Sequence, residues 1–154
     1  LKNLFQKHEV QKVYTALVMG IVDPADGIID KPIGIKTGTI KRTVHATKMI
    51  KPAITEYKTV RTFQIRGHDV SLLHIEPKTG RTHQIRIHLR SIGHPIVCDP
   101  IYAEKSRLCP AELGRLFLHA KKLSFTDSHG KAITLEADMP TELESFVASL
   151  AEIK

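Results

Sequence analysis

With 154 residues, of which 42% are hydrophobic and 25% charged, the chain has the size and composition of one globular domain, which we assign to residues 1–154. Its formal net charge of +7 favours a polyanionic partner, although a basic protein from a generally basic proteome is the simpler alternative. No apolar run approaches the roughly 18 residues that a membrane span needs. The aromatic content of only 5% argues against an extensive platform for stacking bases.

The first third of the chain predicts a helix, a strand and a basic loop. Residues 1–8 follow helical spacing without an initiator methionine, so we expect the chain to begin inside a helix of a longer protein. Residues 12–22 predict a buried strand, and the turn-forming residues 23–27 predict a loop after it. Residues 31–58 carry seven Lys or Arg and one acid, which is equally typical of a solvated surface loop and of a nucleic-acid contact.

The remaining pattern is mostly that of strands. Four further strands are predicted at residues 55–66, 70–76, 118–125 and 131–137. A tight turn at residues 67–69 joins the first two of these. The chain ends in a helix, for which Thr141 and Glu144 predict a capping box. Several strands in hairpin order with few helices predict an α+β fold with a mixed, mainly antiparallel sheet and flanking helices.

Residues 79–89, with the sequence TGRTHQIRIHL, are the most informative stretch. Their apolar positions fit both a strand and a short helix, but Thr82 as an N-cap and Gly93 just beyond the end favour the helix. On that helix Arg86 and Arg90 lie one turn apart, opposite the apolar stripe. An arginine matches phosphate or carboxylate groups because its guanidinium donates two parallel hydrogen bonds. A buried arginine needs an anionic partner, and no acid in the neighbouring sequence is an obvious one.

Metal, thiol and nucleotide-cofactor chemistry have little support in the sequence. Cys98 and Cys109 have neither the density of a disulfide framework nor the spacing of metal ligands, which favours a reducing, cytoplasmic location. His83 and His88 lack a convergent third ligand, so no metal site is predicted. Because no glycine-rich phosphate loop is present, we expect no nucleotide cofactor.

Residues 71–89 (SLLHIEPKTGRTHQIRIHL), followed by GHPI at residues 93–96, resemble the RluA-type RNA pseudouridine synthases. Further blocks match in the family's order at residues 12–18, 29–33, 99–102 and 118–120. The resemblance implies the pseudouridine synthase catalytic fold, truncated at its N-terminal side. It also implies an isomerase that needs no cofactor, breaks the glycosidic bond of a flipped-out uridine, rotates the base and rejoins it through carbon 5.

The resemblance assigns catalytic roles to two positions of this sequence. The family's Gln-Ile-Arg arginine, here Arg86, forms a salt bridge to the nucleophilic aspartate. The tyrosine of the Lys-x-Tyr block, here Tyr14, packs on the target base and is a candidate proton acceptor; an ordinary strand tyrosine is the alternative. We predict RNA contacts for Arg81, His83, Gln84, Arg90, Lys41 and Arg42. His83, Gln84 and His88 are equally explained as structural ties between the helix and neighbouring strands.

Some residues depart from the family pattern, and others have alternative explanations. The His-Arg-Leu-Asp segment that carries the family's nucleophile does not occur in these 154 residues, so we expect the C-terminal part of a catalytic domain, inactive alone. A non-catalytic RNA-binding module on the same scaffold is the alternative. Cys98 stands where the family usually has glycine, Asp99 is expected to fix a turn rather than replace the missing acid, and His119 is expected to be a satisfied core residue.

A truncated sheet also has a consequence for assembly. Loss of the neighbouring part of a sheet exposes a strand edge, which favours dimers or strand exchange. A strictly monomeric mass in light scattering would contradict this expectation.

Overall fold

The computed structural model describes residues 10–104 and 108–153. In this part of the chain the strands are β1 (Gln11–Met19), β2 (Asp26–Asp30), β3 (Ile33–Ile35), β4 (Arg42–Thr43), β5 (Lys48–Lys51), β6 (Ile54–Ile65), β7 (His68–Pro77), β8 (Leu118–Thr126), β9 (Ala132–Glu136) and β10 (Ala151–Glu152). The helices are α1 (Gln84–Ser91) and α2 (Thr141–Ala148), and within the described ranges no helix is long and apolar enough to cross a membrane. The helix expected at residues 1–8 lies outside the described residues.

The main sheet is antiparallel, with the strand order β10-β6-β7-β1-β8-β9 and with β2 paired to β6. Strand β1 lies near the centre of this order, between β7 and β8. Its four consecutive residues Ala16, Leu17, Val18 and Met19 are all buried. Because successive side chains of a strand point to opposite faces, the sheet is covered on both sides there. The expected α+β fold with a mainly antiparallel sheet is therefore confirmed.

The basic segment at residues 31–58 is more regular than the sequence predicted. Strands β3, β4 and β5 form a small second sheet with the order β4-β3-β5, so the expectation of a plain loop is wrong. A glycine is required at position 34, because a Cβ atom there would lie 2.5 Å from the carbonyl oxygen of Lys48. The strands have only two to four residues each, and their burial does not alternate, since β5 is exposed at all four positions; this leaves no period for a sequence pattern to show.

Two turn and cap assignments also change. The hairpin between β6 and β7 turns at Arg66 and Gly67, one residue earlier than predicted, with φ angles of 49° and 81° that suit a two-residue turn. The predicted capping box at α2 is wrong. The cap of α2 is Pro140, whose carbonyl oxygen accepts from the amides of Leu143 and Glu144 without any side-chain cap.

Helix α1 forms as expected, and Gly93 follows it with a φ of 87°. Its predicted N-cap, Thr82, is wrong. The cap residue is His83, which has a φ of 55° and makes no side-chain cap bond. The side chain of Gln84 holds this entrance instead, because its Oε1 accepts hydrogen bonds from the Thr79 hydroxyl (2.6 Å) and the Arg81 amide (3.0 Å).

A buried polar chain joins α1 to the start of β6. The Gln84 amide nitrogen donates to the Thr55 hydroxyl (3.0 Å), and Thr55 in turn donates to His88 Nδ1 (2.8 Å). His88 Nε2 donates to the carbonyl oxygen of Lys31 (2.8 Å). Gln84 and His88 are thus structural ties between the helix and the strands, the alternative that the sequence left open for them. His119 is buried and donates to the carbonyl of Ala137, as expected of a satisfied core residue.

Cys98 and Cys109 form a disulfide, with their Cα atoms 4.7 Å apart. The sequence did not predict this bond, because the two cysteines are eleven residues apart and no local pattern pairs them. A disulfide is more typical of oxidising compartments than of the cytoplasm. The cysteines therefore give no support to a reducing location.

The buried imidazole of His88 predicts acid sensitivity. Burial lowers the pKa of His88 below its ordinary value of 6.5, so the folded chain keeps this ring neutral where the unfolded chain takes up a proton. The stabilisation is complete above pH 6.5 and is lost as the pH falls below it. We expect His88→Gln to reduce the loss of unfolding free energy between pH 7.5 and 5.5 in urea titrations. His129→Gln, at an exposed turn, should match the wild type; equal pH dependence in all three proteins would contradict this.

Candidate active site

A cleft of about 320 Å³ lies between the middle of the main sheet and the loop that leads into α1. We call it the first cleft. Its walls come from β1, from the end of β7, from residues 79–86 and from the start of β8; the side chains that matter for chemistry are Lys12, Tyr14, Arg81, His83 and Arg86, and Leu116 and Leu118 add apolar surface. Apolar walls with a few convergent polar groups are typical of a site for a small molecule.

Arg86 reaches this cleft from α1, and its guanidinium is held by Asp99. Arg86 Nε donates to Asp99 Oδ2 (2.9 Å) and Nη2 donates to Oδ1 (2.7 Å), while only 12% of the Arg86 side chain and none of the Asp99 side chain is exposed. The Tyr102 ring lies 5.0 Å from the guanidinium carbon. The sequence found no acid for Arg86 because the partner sits thirteen residues away, across a turn.

Asp99 has a structural task, as the sequence predicted. Its Oδ1 also accepts from the amides of Ile101 and Tyr102, both at 2.9 Å. Burial alone would raise the pKa of Asp99, but the Arg86 guanidinium and these two amides outweigh burial and hold the pKa below its ordinary value. The carboxylate is thus ionised and fully engaged behind Arg86, which disfavours a role as replacement nucleophile.

Tyr14 presents a hydroxyl that makes no hydrogen bond within residues 10–104 and 108–153. It is half-buried on β1, opposite Ile75 of β7 and Ala120 of β8. Burial raises the pKa of Tyr14, so the phenol is neutral at neutral pH. A half-buried aromatic ring with an unengaged hydroxyl is available to a ligand in the cleft.

Lys12 is a cleft residue that the sequence interpretation missed. It lines the cleft with Tyr14, donates to the carbonyl of Thr79 (3.2 Å), and has a pKa lowered by burial and by the nearby Arg81 charge. A perturbed lysine beside a cleft is a candidate functional group. The signal was present in the Lys-x-Tyr block, because residues two apart on a strand face the same side.

The remaining predicted residues of the first cleft have mixed surroundings. Arg81 Nε donates to the carbonyl of Pro52 (2.8 Å), and this bond does not use the two terminal nitrogens of the guanidinium. His83 is exposed, and its Nδ1 lies 2.9 Å from the Tyr102 hydroxyl. Although the residue as a whole is exposed, partial desolvation of its ring and the Arg86 charge lower the pKa of His83. Gln84 lines the cleft, but its amide atoms are bonded to protein groups on both sides.

A second cleft, of about 410 Å³, contains the other predicted residues. Lys41 and Arg42 line it from the small sheet, and Arg90 lines it from α1, together with Tyr102. Arg90 donates to the carbonyl of Tyr102, while the Lys41 and Arg42 side chains have no ion-pair partner in the described part of the chain. Arg42 lies close enough to lower the pKa of His83 electrostatically, so the two clefts adjoin at the His83–Tyr102 pair.

The electrostatics of both clefts are one-sided. Neither cleft has an Asp or Glu among the described residues that line it, whereas both contain several cations. Among residues 10–104 and 108–153 there is also no cluster of three or more His, Cys, Asp or Glu that could hold a metal ion. The clefts therefore suit an anionic ligand, and the described residues that line them offer it no carboxylate nucleophile.

Comparison with known proteins gives a consistent result. Residues 1–91 match the sequence profile of the family described as RNA pseudouridylate synthase. A ribosomal large subunit pseudouridine synthase D from Nitrosomonas europaea is 34% identical over 164 residues, which cover 99% of this chain and 44% of that protein. The dual-specificity RNA pseudouridine synthase RluA of Escherichia coli is 34% identical over 138 residues, covering 89% of this chain and 61% of that protein. The chain spans about half the length of these relatives.

Two solved structures have the same fold. The human RNA pseudouridylate synthase domain containing 1 protein superposes with a TM-score of 0.83 at 26% identity, over 99% of this chain and 63% of that one. The human RNA pseudouridylate synthase domain containing 4 protein gives a TM-score of 0.71 at 23% identity, over 96% of this chain and 64% of that one. This likeness supports the fold alone. Sequence and fold comparisons thus agree on one family.

Because the structure gives the Tyr14 hydroxyl no role in the fold, we expect its removal to leave the stability of the chain almost unchanged. Tyr14→Phe should change the free energy of unfolding by less than about 0.5 kcal/mol, because the hydroxyl makes no hydrogen bond with any of the described residues. Tyr102→Phe, which removes the 2.9 Å hydrogen bond with His83, should cost about 1 kcal/mol. Urea titrations of the 154-residue chain would measure both. A destabilisation by Tyr14→Phe as large as that by Tyr102→Phe would show that the hydroxyl serves the fold rather than a ligand.

Proposed function

This chain belongs to the RNA pseudouridylate synthase family, and on that premise we propose that its first cleft receives a uridine of RNA for isomerisation to pseudouridine. The observation that carries the proposal is the convergence of Tyr14 and Arg86, from different elements and 72 residues apart, in one cleft. These are the two positions that match the family's catalytic tyrosine and arginine. The apolar walls and the excess of cations fit a flat base attached to a phosphate chain.

The chemistry needs no oxidant and no cofactor. The bond between uracil N1 and ribose C1′ breaks, the base rotates, and a bond forms between C5 and C1′. The C5 proton leaves and N1 gains a proton, so atoms and electrons balance. The uridine must leave the base stack to enter the cleft, at a cost of a few kcal/mol that interactions in the cleft offset.

Tyr14 serves this reaction first as a stacking surface for the flipped base. Because its raised pKa keeps the phenol neutral, Tyr14 can accept the C5 proton only if its own proton leaves in the same step. Lys12, whose pKa is lowered and which lines the same cleft, is the neighbouring group that can take part in such a transfer. His83 at the rim, whose pKa is also lowered, is the other titratable neighbour.

Arg86 binds and orients the nucleophilic aspartate that the family carries in its His-Arg-Leu-Asp segment. That segment is not among these 154 residues, so the chain alone is proposed to bind RNA without turnover. The proposal treats residues 1–154 as the C-terminal portion of one catalytic domain.

The RNA strand is proposed to continue from the first cleft into the second. Lys41, Arg42 and Arg90 provide cations on the far side of the His83–Tyr102 pair, where phosphates that flank the target uridine would lie. One relative is named as a synthase of the ribosomal large subunit and another as dual-specific, and we propose ribosomal or transfer RNA as the substrate class. A cytoplasmic location follows from that substrate class rather than from the cysteines.

One observation favours a second candidate function. The absence of an Asp or Glu from the described lining of both clefts would also suit a non-catalytic RNA-binding module. The coding sequence upstream of Leu1 discriminates between the two: a His-Arg-Leu-Asp segment there supports the enzyme, and a start codon at that point supports the module.

The role of Arg86 predicts a loss of turnover without a loss of binding. In the chain extended upstream to include His-Arg-Leu-Asp, Arg86→Ala should reduce turnover by roughly 100- to 1,000-fold or abolish it, because the nucleophile loses its orienting charge. RNA affinity should change less than about threefold, since phosphate contacts elsewhere supply most of it. Tritium release from carbon 5 of labelled uridine and filter binding measure the two quantities.

The control for this experiment is Arg61→Ala, which removes an exposed arginine paired with Glu152 on the surface of β6. It should retain turnover and affinity. Unchanged turnover in Arg86→Ala would remove its assigned role, and retained affinity shows that the variant is folded.

The second cleft predicts a salt-dependent affinity. RNA affinity of the 154-residue chain should fall steeply between about 50 and 200 mM salt. In Lys41→Ala or Arg42→Ala, the slope of log affinity against log salt should become shallower. The change should be about 0.7 to 0.9 for each phosphate contact that the substitution removes. Lys131→Ala, an exposed lysine at the turn before β9, should leave the slope unchanged. A flat titration, or equal slopes in all three variants, would exclude the small sheet from RNA binding.

A further inference from the structure

Asp99 is a fully buried carboxylate to which the proposed mechanism assigns no part. It lies next to the first cleft but does not line it, because Arg86 stands between the carboxylate and the cleft. Four donors converge on it: Nε and Nη2 of Arg86 and the amides of Ile101 and Tyr102, at distances from 2.7 to 2.9 Å. The two amides hold the turn and the burial of Arg86 requires an anion, but neither requires both Asp99 oxygens to accept hydrogen bonds from Arg86.

The geometry of the guanidinium supplies one. Arg86 uses Nε and Nη2 for Asp99, while its Nη1 has no hydrogen-bond partner within the described ranges. The Tyr102 ring lies 5.0 Å from the guanidinium carbon. With one edge bonded and the ring beside it, the guanidinium has a fixed plane, and its remaining edge is available in the cleft that Arg86 lines.

We infer that Asp99 is a positioning residue, which fixes Arg86 so that the Nη1 edge is presented to a second carboxylate in the first cleft. Arg86 then bridges two carboxylates, one structural and one catalytic. This inference rests on the proposed function, because the second carboxylate is the nucleophilic aspartate of the family. In addition, Asp99, a residue of this chain, sets the orientation of Arg86.

The arrangement has a physical advantage over an arginine held by the nucleophile alone. A free arginine side chain has several rotatable bonds, and its ordering would have to be supplied by the catalytic carboxylate. Asp99 is itself rigid, because two backbone amides hold it and its neighbour Cys98 is tied to Cys109. The orienting group is thus in place before the substrate binds, which is how enzymes preorganise charged groups.

The matched variant is Asp99→Asn in the chain extended upstream to include His-Arg-Leu-Asp. Asparagine keeps an oxygen in the place of Oδ1, which serves both turn amides, and puts an NH₂ group in the place of Oδ2, opposite the Arg86 Nε–H. We expect kcat, measured by tritium release from carbon 5 of uridine, to fall at least about tenfold while KM stays within about threefold. Asp69→Asn, an exposed aspartate bonded to Gln64, should change neither.

Arg86→Lys is the second variant and does not depend on the folding of the first. Lysine keeps the charge beside Asp99 but has no second edge to offer, so kcat should again fall at least about tenfold with KM within about threefold. Unchanged kcat in Asp99→Asn would overturn the inference, as would near-normal kcat in Arg86→Lys. A rise in KM without a fall in kcat would also overturn it, because it would assign Asp99 to RNA binding. Failure of the proposed function gives a different result, namely no tritium release from the unsubstituted protein.

Discussion

A buried arginine must have an anionic partner, because an unpaired charge away from water costs several kcal/mol. In this chain Arg86 meets that requirement with Asp99, and the pair joins α1 to the turn that follows it. The same turn carries Tyr102, which lies against the Arg86 guanidinium, contacts His83 and lines the second cleft. The ion pair thus holds Arg86 in place, and it lies beside Tyr102, where the two clefts adjoin. Removing one partner alone would leave the other buried and uncompensated, which would lower the free energy of unfolding.

The main sheet supplies the rigid support for this arrangement. Strand β1 is buried near the centre of the sheet and carries Tyr14 into the first cleft. A series of side-chain hydrogen bonds, from Thr79 through Gln84 and Thr55 to His88, fixes α1 against β6. Because these four side chains are hydrogen-bonded to one another, the network specifies one arrangement of the helix and the strand. Secondary structure therefore places the tyrosine, the arginine and the cations from separate parts of the sequence in one region.

The long strands and α1 could be predicted because their patterns are local: apolar runs give β1 and β7, and Gly93 ends the helix. The motif from Thr79 to Leu89 also pointed to Arg86. What could not be predicted depends on distant contacts. The partner of Arg86 lies thirteen residues away, the entrance of α1 is held by Gln84 rather than by Thr82, and the disulfide joins cysteines eleven residues apart. The small sheet was missed because its strands are too short to show a period.

We propose that the first cleft forms the active site of a uridine isomerase when the family's aspartate is supplied. The most direct test is tritium release from ribosomal and transfer RNA labelled at uridine carbon 5, measured for the 154-residue chain and for the chain extended to include His-Arg-Leu-Asp. We expect release by the extended chain, none by the shorter chain, and none after Asp→Ala substitution in the added segment. Tight RNA binding by the extended chain without release from either RNA would contradict it and would favour the RNA-binding module.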